Sequence, residues 1–305
     1  MPIRVPYSHI LILADIEGSS GCGSYRASSF LTRPWANACA DMSKDVDAVV
    51  KALFRAGVPK VTVKDFHRTA YNLLPEVIDN RARIVCGYRR GPVPGLGDPE
   101  NADATMMLGM HAAAGTAGFL AHTLTSRLSS LTVNGRPLAE VELFAASLAT
   151  HGIPATFFSG CPVACAQARQ RIPGIRTLAI DKSIMPDHLD KHRWRRQLAQ
   201  AAVRALTNDT VSPYLPEGPF RAEITIRDGA AAAAKMAAPW GFCRSGSHVS
   251  IDAPDVHALY NHLIRLCYLS PLAERTLPFS LMLFNGIGWF GRLWVRRQLQ
   301  TFSRR

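Results

Sequence analysis

Apolar blocks alternate with polar breaks along the chain, and the period of each block predicts its form. Ile10-Leu-Ile-Leu-Ala14 is an unbroken apolar run, the pattern of a buried strand. Two carboxylates one residue apart, Asp15 and Glu17, follow at once, and then the glycine-rich Gly18-Ser-Ser-Gly21. Over residues 43 to 56 the apolar positions Val46, Val49, Val50, Leu53 and Phe54 recur at helical spacing, with Ser43 as the expected N-cap and Gly57 as the C-cap. Val58 to Val63 predicts a second strand running into Asp65-Phe-His67, and residues 104 to 110 predict a third, ending at His111. A fourth is expected over 129 to 133, closed by the turn pair Asn134-Gly135. A helix over 139 to 151 presents Val141, Phe144, Ala145 and Leu148 on one face, and a strand over 154 to 159 follows it.

Strands that alternate with helices predict an α/β fold, a mostly parallel sheet layered with helices. This first unit spans residues 1–207 and ends in a helix over 190 to 207. Residues 208–219 (NDTVSPYLPEGP) read as a linker. Strands over 220 to 226 and 248 to 251, and helices at the alanine run 230 to 234 and over 254 to 268, predict a smaller second α/β domain at 220–270. Residues 271–305 are left as a basic, aromatic C-terminal tail.

With 305 residues, 48% hydrophobic and 19% charged, the chain is long enough for a substantial core. Its 35 basic and 23 acidic residues give a net charge of +12. The excess clusters at Arg89-Arg90, at residues 191 to 196 and in the last ten residues, without the aromatic interleaving of a nucleic-acid surface. No nucleic-acid partner is expected, and the charge reads as solvated surface. Seven cysteines without a disulfide or zinc-finger spacing predict reduced thiols and a cytoplasmic location. The N-terminus lacks the pattern of a signal peptide, and no run of 18 apolar residues predicts a membrane span.

In open α/β sheets, sites form beyond the carboxyl ends of the strands. Asp15 and Glu17 follow the first strand, Asp65 and His67 the second, and His111 the third. Glu140 opens the helix after the Asn134-Gly135 turn, and His122 lies eleven residues beyond His111. Carboxylate oxygens with two imidazoles form a ligand set for zinc, manganese or cobalt, and the number of acids suits two ions. A phosphate-binding loop at Gly18–Gly23 is disfavoured: its spacing is GxxGxG, and the two acids before it would repel an anion.

At these residues the chain resembles the zinc-dependent D-aminopeptidases of peptidase family M55. The family's DxEGxxG stands as Asp15-Ile-Glu17-Gly18-Ser-Ser-Gly21, its DSHxxxxNL as Asp65-Phe-His67 through Asn72-Leu73, its GYH as Gly109-Met-His111, and its NGxPxGE as Asn134-Gly135 through Glu140. The resemblance implies two metal ions, zinc by preference, held by Asp15, Glu17, His67, His111 and Glu140, with His122 as the catalytic residue. It implies removal of the N-terminal residue from short peptides, with D-residues favoured, by a ring-type homo-oligomer. Four positions depart from the family pattern: Phe66 replaces a Ser, Ala139 a Gly, Phe144 an Asn and Ala117 a Pro. Ile184-Met-Pro-Asp stands where a Gly-Arg or Ser-Arg pair is usual. The alternative is a non-catalytic descendant that binds peptides or a partner protein.

The tail carries Leu281, Leu283, Phe284, Trp289, Phe290, Leu293 and Trp294 beside Arg292, Arg296 and Arg297. Such a segment is expected to dock on its own core or a neighbouring subunit, with peripheral membrane contact as the other expectation.

Overall fold

The protein is described by a computed structural model covering residues 6–183, 188–207 and 211–303. In chain order the elements are β1 (His9–Ala14), α1 (Arg33–Arg55), β2 (Lys60–Asp65), β3 (Arg83–Val85), β4 (Ala104–Met110), β5 (Leu128–Val133) and β6 (Arg136–Pro137). Then come α2 (Glu140–Ala149), β7 (Ala155–Gly160), α3 (Pro162–Arg171), β8 (Arg176–Ala179), α4 (Lys191–Ala205), β9 (Phe220–Ile226) and α5 (Gly229–Ala237). The last are β10 (Cys243–Ser245), β11 (His248–Ala253), α6 (Val256–Tyr268), α7 (Pro271–Arg275) and α8 (Leu277–Ser303). The Ile184-Met-Pro-Asp segment, and the start of the expected linker at Asn208, lie outside the described residues.

β1 is apolar throughout because both of its faces are covered. Ile10 and Ile12 point into one hydrophobic core, formed largely with α1 and α4. Leu11 and Leu13 point into the other, formed with α2, α3, α6 and a second sheet. β1 lies inside a six-stranded sheet of order β3-β2-β1-β4-β7-β8, all of whose pairings are parallel. Ala14 is level with Asp65 of β2 on one side and with Leu108 of β4 on the other. The strand order reverses direction at β1 and β4, which opens the crevice where such sheets carry their sites.

Two expectations are corrected. α1 begins ten residues before Ser43, at Arg33, where the Thr32 side chain accepts a hydrogen bond from Trp35 N at 3.2 Å. Ser43 sits inside the helix, donating to Cys39 O at 2.7 Å and accepting from Leu74 N at 2.9 Å. Its hydroxyl fastens a loop to the helix, a role indistinguishable in sequence from capping. The strand over 129 to 133 also leaves the parallel alternation. Asn134 (φ 49°) and Gly135 (φ 78°) both take the left-handed conformation of a tight hairpin. That turn makes β5 antiparallel to β6 and places it in a five-stranded antiparallel sheet, order β10-β11-β9-β5-β6. This sheet draws strands from both sides of the 208–219 segment.

The tail is helical and folds onto its own chain. One face of α8 buries Gly288, Gly291 and Val295 against the core, and Arg296 makes a two-point ion pair with Glu76 at 2.7 and 2.8 Å. The opposite face leaves Phe279, Met282, Leu283, Ile287 and Phe290 exposed. Among the described residues, no helix is long and apolar enough to cross a membrane.

Candidate metal centre

The two acids that end β1 are placed by backbone contact with β4. Asp15 N donates to Leu108 O at 2.8 Å and Gly18 N to Gly109 O at 2.6 Å. A Cβ on Gly18 would stand 2.3 Å from Met110 O, and one on Gly109 (φ 73°) would stand 2.2 Å from Asp15 O. The glycines are therefore required for the loop to lie against β4. The loop is tied down further on. Asp45 of α1 accepts from Ser20 N and Ser20 Oγ, both at 2.7 Å, and Arg195 of α4 pairs with Asp45 at 3.0 Å and Asp41 at 2.7 Å. Lys182 Nζ donates to Ser19 O at 2.6 Å and Cys22 O at 2.9 Å. Part of the basic run at 191 to 196 is thus structural.

His67 is presented by a loop folded around a buried carboxylate. Asp65 accepts from His67 N at 3.2 Å, from Asn72 Nδ2 and Leu73 N at 2.9 Å each, and from Asn72 N. Asp65 was expected to join the acids at the site; its bonds instead go to this loop. The ring of His67 is oriented by Ser28, whose carbonyl lies 2.9 Å from Nε2. That bond puts a proton on Nε2 and turns Nδ1 toward the acids. Nδ1 lies 3.1 Å from Asp15 Oδ1 and 3.0 Å from Glu17 Oε2.

His111, at the end of β4, presents Nε2 at 3.5 Å from Asp15 Oδ2 and 3.5 Å from Glu140 Oε1, with Nδ1 3.2 Å from Ala112 O. Glu140 begins α2 and accepts from Leu124 N at 2.6 Å. His122 stacks on His111 with ring centroids 3.8 Å apart, and its Nδ1 lies 2.8 Å from Leu120 O. The loop that carries it is held in an uncommon backbone form, since Leu120 (φ 48°) and Leu124 (φ 63°) are both left-handed. All six residues picked out in the sequence therefore converge. Asp15, Glu17, His67, His111 and Glu140 are buried, and His122 is half-buried.

This packing demands positive charge. Burial and the neighbouring Glu17 carboxylate push the Asp15 carboxyl up to about 7. Burial disfavours charge on His67, but Glu17 and Asp15 outweigh it and hold the imidazole well above its ordinary range. For His111 the opposition of burial is overcome by Glu140, Glu17 and Asp15, which raise it to about 10. Burial and the adjacent His111 lower His122. Glu17 Oε2 is buried and accepts no aligned hydrogen bond, although His67 Nδ1 is 3.0 Å away. An unpaired carboxylate oxygen facing Nδ1 of a histidine that is oriented through its other nitrogen fits a shared cation. Ligand atoms of Asp15, Glu17 and His67 lie within 4.8 Å of one another, as do those of Glu17, His111 and His122. The residues present therefore suit zinc or a similar dication.

Two of the departures from the family pattern meet beside this cage. Phe66, between Asp65 and His67, packs against Phe144 of α2 with ring centroids 4.7 Å apart. Sequence reading also missed Ser28, whose backbone carbonyl orients a histidine 39 residues away and leaves no spacing signal.

The sequence profile of the Peptidase_M55 family, described as D-aminopeptidase, matches residues 9–264. A D-aminopeptidase of Bacillus subtilis (strain 168) is 27% identical over 218 residues, covering 70% of this chain and 78% of that protein. Among solved structures, the fold matches the Zn-dependent D-aminopeptidase DppA from Bacillus subtilis, described as a self-compartmentalizing protease, with a TM-score of 0.76 and 23% identity. That match covers 84% of this chain and 96% of the other. With the profile spanning both sheets and all six residues of the cage, the chain belongs to the M55 family of D-aminopeptidases and is a peptide-bond hydrolase.

Proposed function

We propose that the protein is a zinc-dependent aminopeptidase that removes the N-terminal residue, D-residues included, from short peptides. In this reading Asp15, Glu17, His67, His111 and Glu140 hold two ions. The carrying observation is the placement of Asp15, whose two carboxylate oxygens face different histidines, Oδ1 toward His67 at 3.1 Å and Oδ2 toward His111 at 3.5 Å. Asp15, Glu17 and His67 would hold one ion, and Asp15, His111 and Glu140 the other. When bound, the ions would polarise the scissile carbonyl and lower the pKa of the attacking water. The chain's own groups do the rest. Ser28 O and Ala112 O fix the orientations of the two histidine rings, and Leu124 N fixes Glu140. His122, with Nδ1 held at Leu120 O, keeps Nε2 to take up or deliver a proton at the reacting bond.

The test is a screen of the zinc-reconstituted protein on paired D- and L-aminoacyl p-nitroanilides and on D-Ala-D-Ala. Turnover of the D-substrates is expected. A protein that binds two equivalents of zinc and cleaves none of these substrates would overturn the reading.

We extend the proposal to partners. Like its self-compartmentalizing relative, the chain is read as assembling from identical subunits, which sedimentation velocity measures. The exposed outer face of α8, with Phe290 followed one helical repeat later by Arg297, is read as a contact for anionic lipid. Co-sedimentation with anionic vesicles should be lost in Phe290→Glu; equal binding by both proteins would contradict it.

A further inference from the structure

α8 lies beyond the segment that the family profile matches, residues 9–264. Its inner face nevertheless converges on the loop that carries His67, by two routes. In the first, Trp294 stacks on Trp35 at 6.0 Å and 20°. Trp35 Nε1 donates to Asn72 Oδ1 at 2.8 Å, and Asn72 Nδ2 donates to His67 O at 2.8 Å. In the second, Asn285 pairs with both backbone groups of Tyr88, accepting from N at 2.9 Å and donating to O at 3.0 Å. The Tyr88 hydroxyl then donates to Phe66 O, the carbonyl just before His67, at 3.0 Å.

The approach of the helix is close because glycines face the loop. A Cβ at Gly288 would stand 2.3 Å from the Tyr71 ring and 3.0 Å from Thr69, and one at Gly291 would stand 2.2 Å from Phe30. Arg292 covers the Tyr71 ring at 5.0 Å and donates to Cys86 Sγ at 3.2 Å. The loop needs such support. Arg68 (φ 48°) and Ala70 (φ 57°) are both left-handed, a conformation that crowds the Cβ of any non-glycine residue. A conformation of that kind persists only where its surroundings over-determine it.

We propose that α8 is a brace which holds the His67 loop in ligand geometry, with Trp294 and Asn285 as positioning residues. The inference rests on the reading of His67 as a metal ligand. It ties metal affinity to a helix outside the matched family segment, more than 200 residues away in sequence.

The experiment measures zinc affinity by competition with a chromophoric chelator, together with amide hydrogen exchange over residues 67–73, in the full-length protein. Trp294→Ala and Asn285→Ala should each weaken one of the two zinc equivalents by roughly 10- to 100-fold, the range for residues that support a ligand. The Ala70 amide, which donates to His67 O at 2.8 Å, should exchange faster in both. Trp294→Phe should restore both readouts, and Gln300→Ala, at an exposed position of α8, should change neither. If Trp294→Ala loses the global fold, Asn285→Ala decides the question. Wild-type zinc affinity and wild-type exchange at Ala70 in Asn285→Ala would overturn the proposal. A wild-type protein that binds no zinc would instead overturn the proposed function, with the exchange data still testing the brace.

Discussion

Asp15 stands between His67 and His111 and gives one carboxylate oxygen to each, at 3.1 and 3.5 Å. A residue shared in this way couples the two proposed metal positions. Asp15→Asn should therefore lose both ions, and kcat/KM should fall by about three orders of magnitude or more. His111→Ala should lose one equivalent and keep the other. Elemental analysis after gel filtration checks both; two retained equivalents in Asp15→Asn would remove Asp15 from its bridging role.

His122 is stacked on His111 and half-buried. His122→Ala should leave two zinc equivalents bound and lower kcat by roughly 100- to 10,000-fold, the usual range for a general acid or base. Loss of an ion from this variant would make His122 a ligand, since its ring also lies in reach of Glu17 and His111.

Asp65 organises the His67 loop from within. Asp65→Ala leaves the backbone amides of His67, Asn72 and Leu73 and the side-chain amide of Asn72 without their acceptor. A loss of roughly 3 kcal/mol in unfolding free energy is expected, accompanied by weaker zinc binding. Chemical denaturation with a loss below about 1 kcal/mol would show that water replaces the carboxylate.

Lys64 is fully buried and donates to Gly87 O. Burial lowers its ammonium to about 8, against partial support from Asp65. From about pH 8 to 10.5 the unfolded chain holds this proton and the folded chain does not, so the contribution of Lys64 to stability rises with pH. Below pH 8 both states are charged and the cost of burial is constant. Wild-type stability, measured against Lys64→Met, should gain up to about 3 kcal/mol across that window. A flat difference would mean that water reaches the ammonium.

Much of the fold and the cage is written locally. An apolar run too long for one-sided burial specifies β1 as interior, and polar residues that break the ends of successive strands mark the rim, because strand ends are where a sheet gives way to loops. Asp15, Glu17, His67 and His111 are legible for that reason, while Glu140 and His122 take their roles from the resemblance to the M55 family. The role of Ser43 was not legible, because a hydroxyl that caps a helix and one that pins a distant loop look alike in sequence. The departure of β5 from the parallel sheet depended on the Asn134-Gly135 turn and on pairing with β9, about 90 residues later. The bracing contacts of α8 depended on long-range packing as well: Trp294 meets Trp35, and Asn285 meets Tyr88, only after the chain has closed on itself. Periodicity and turn chemistry act over a few residues, so sequence determined the elements and the donor set. Which sheet receives a strand, which carboxylate faces the two histidines and which folds a loop are settled by contacts between residues far apart in the chain, and only the tertiary structure decided them.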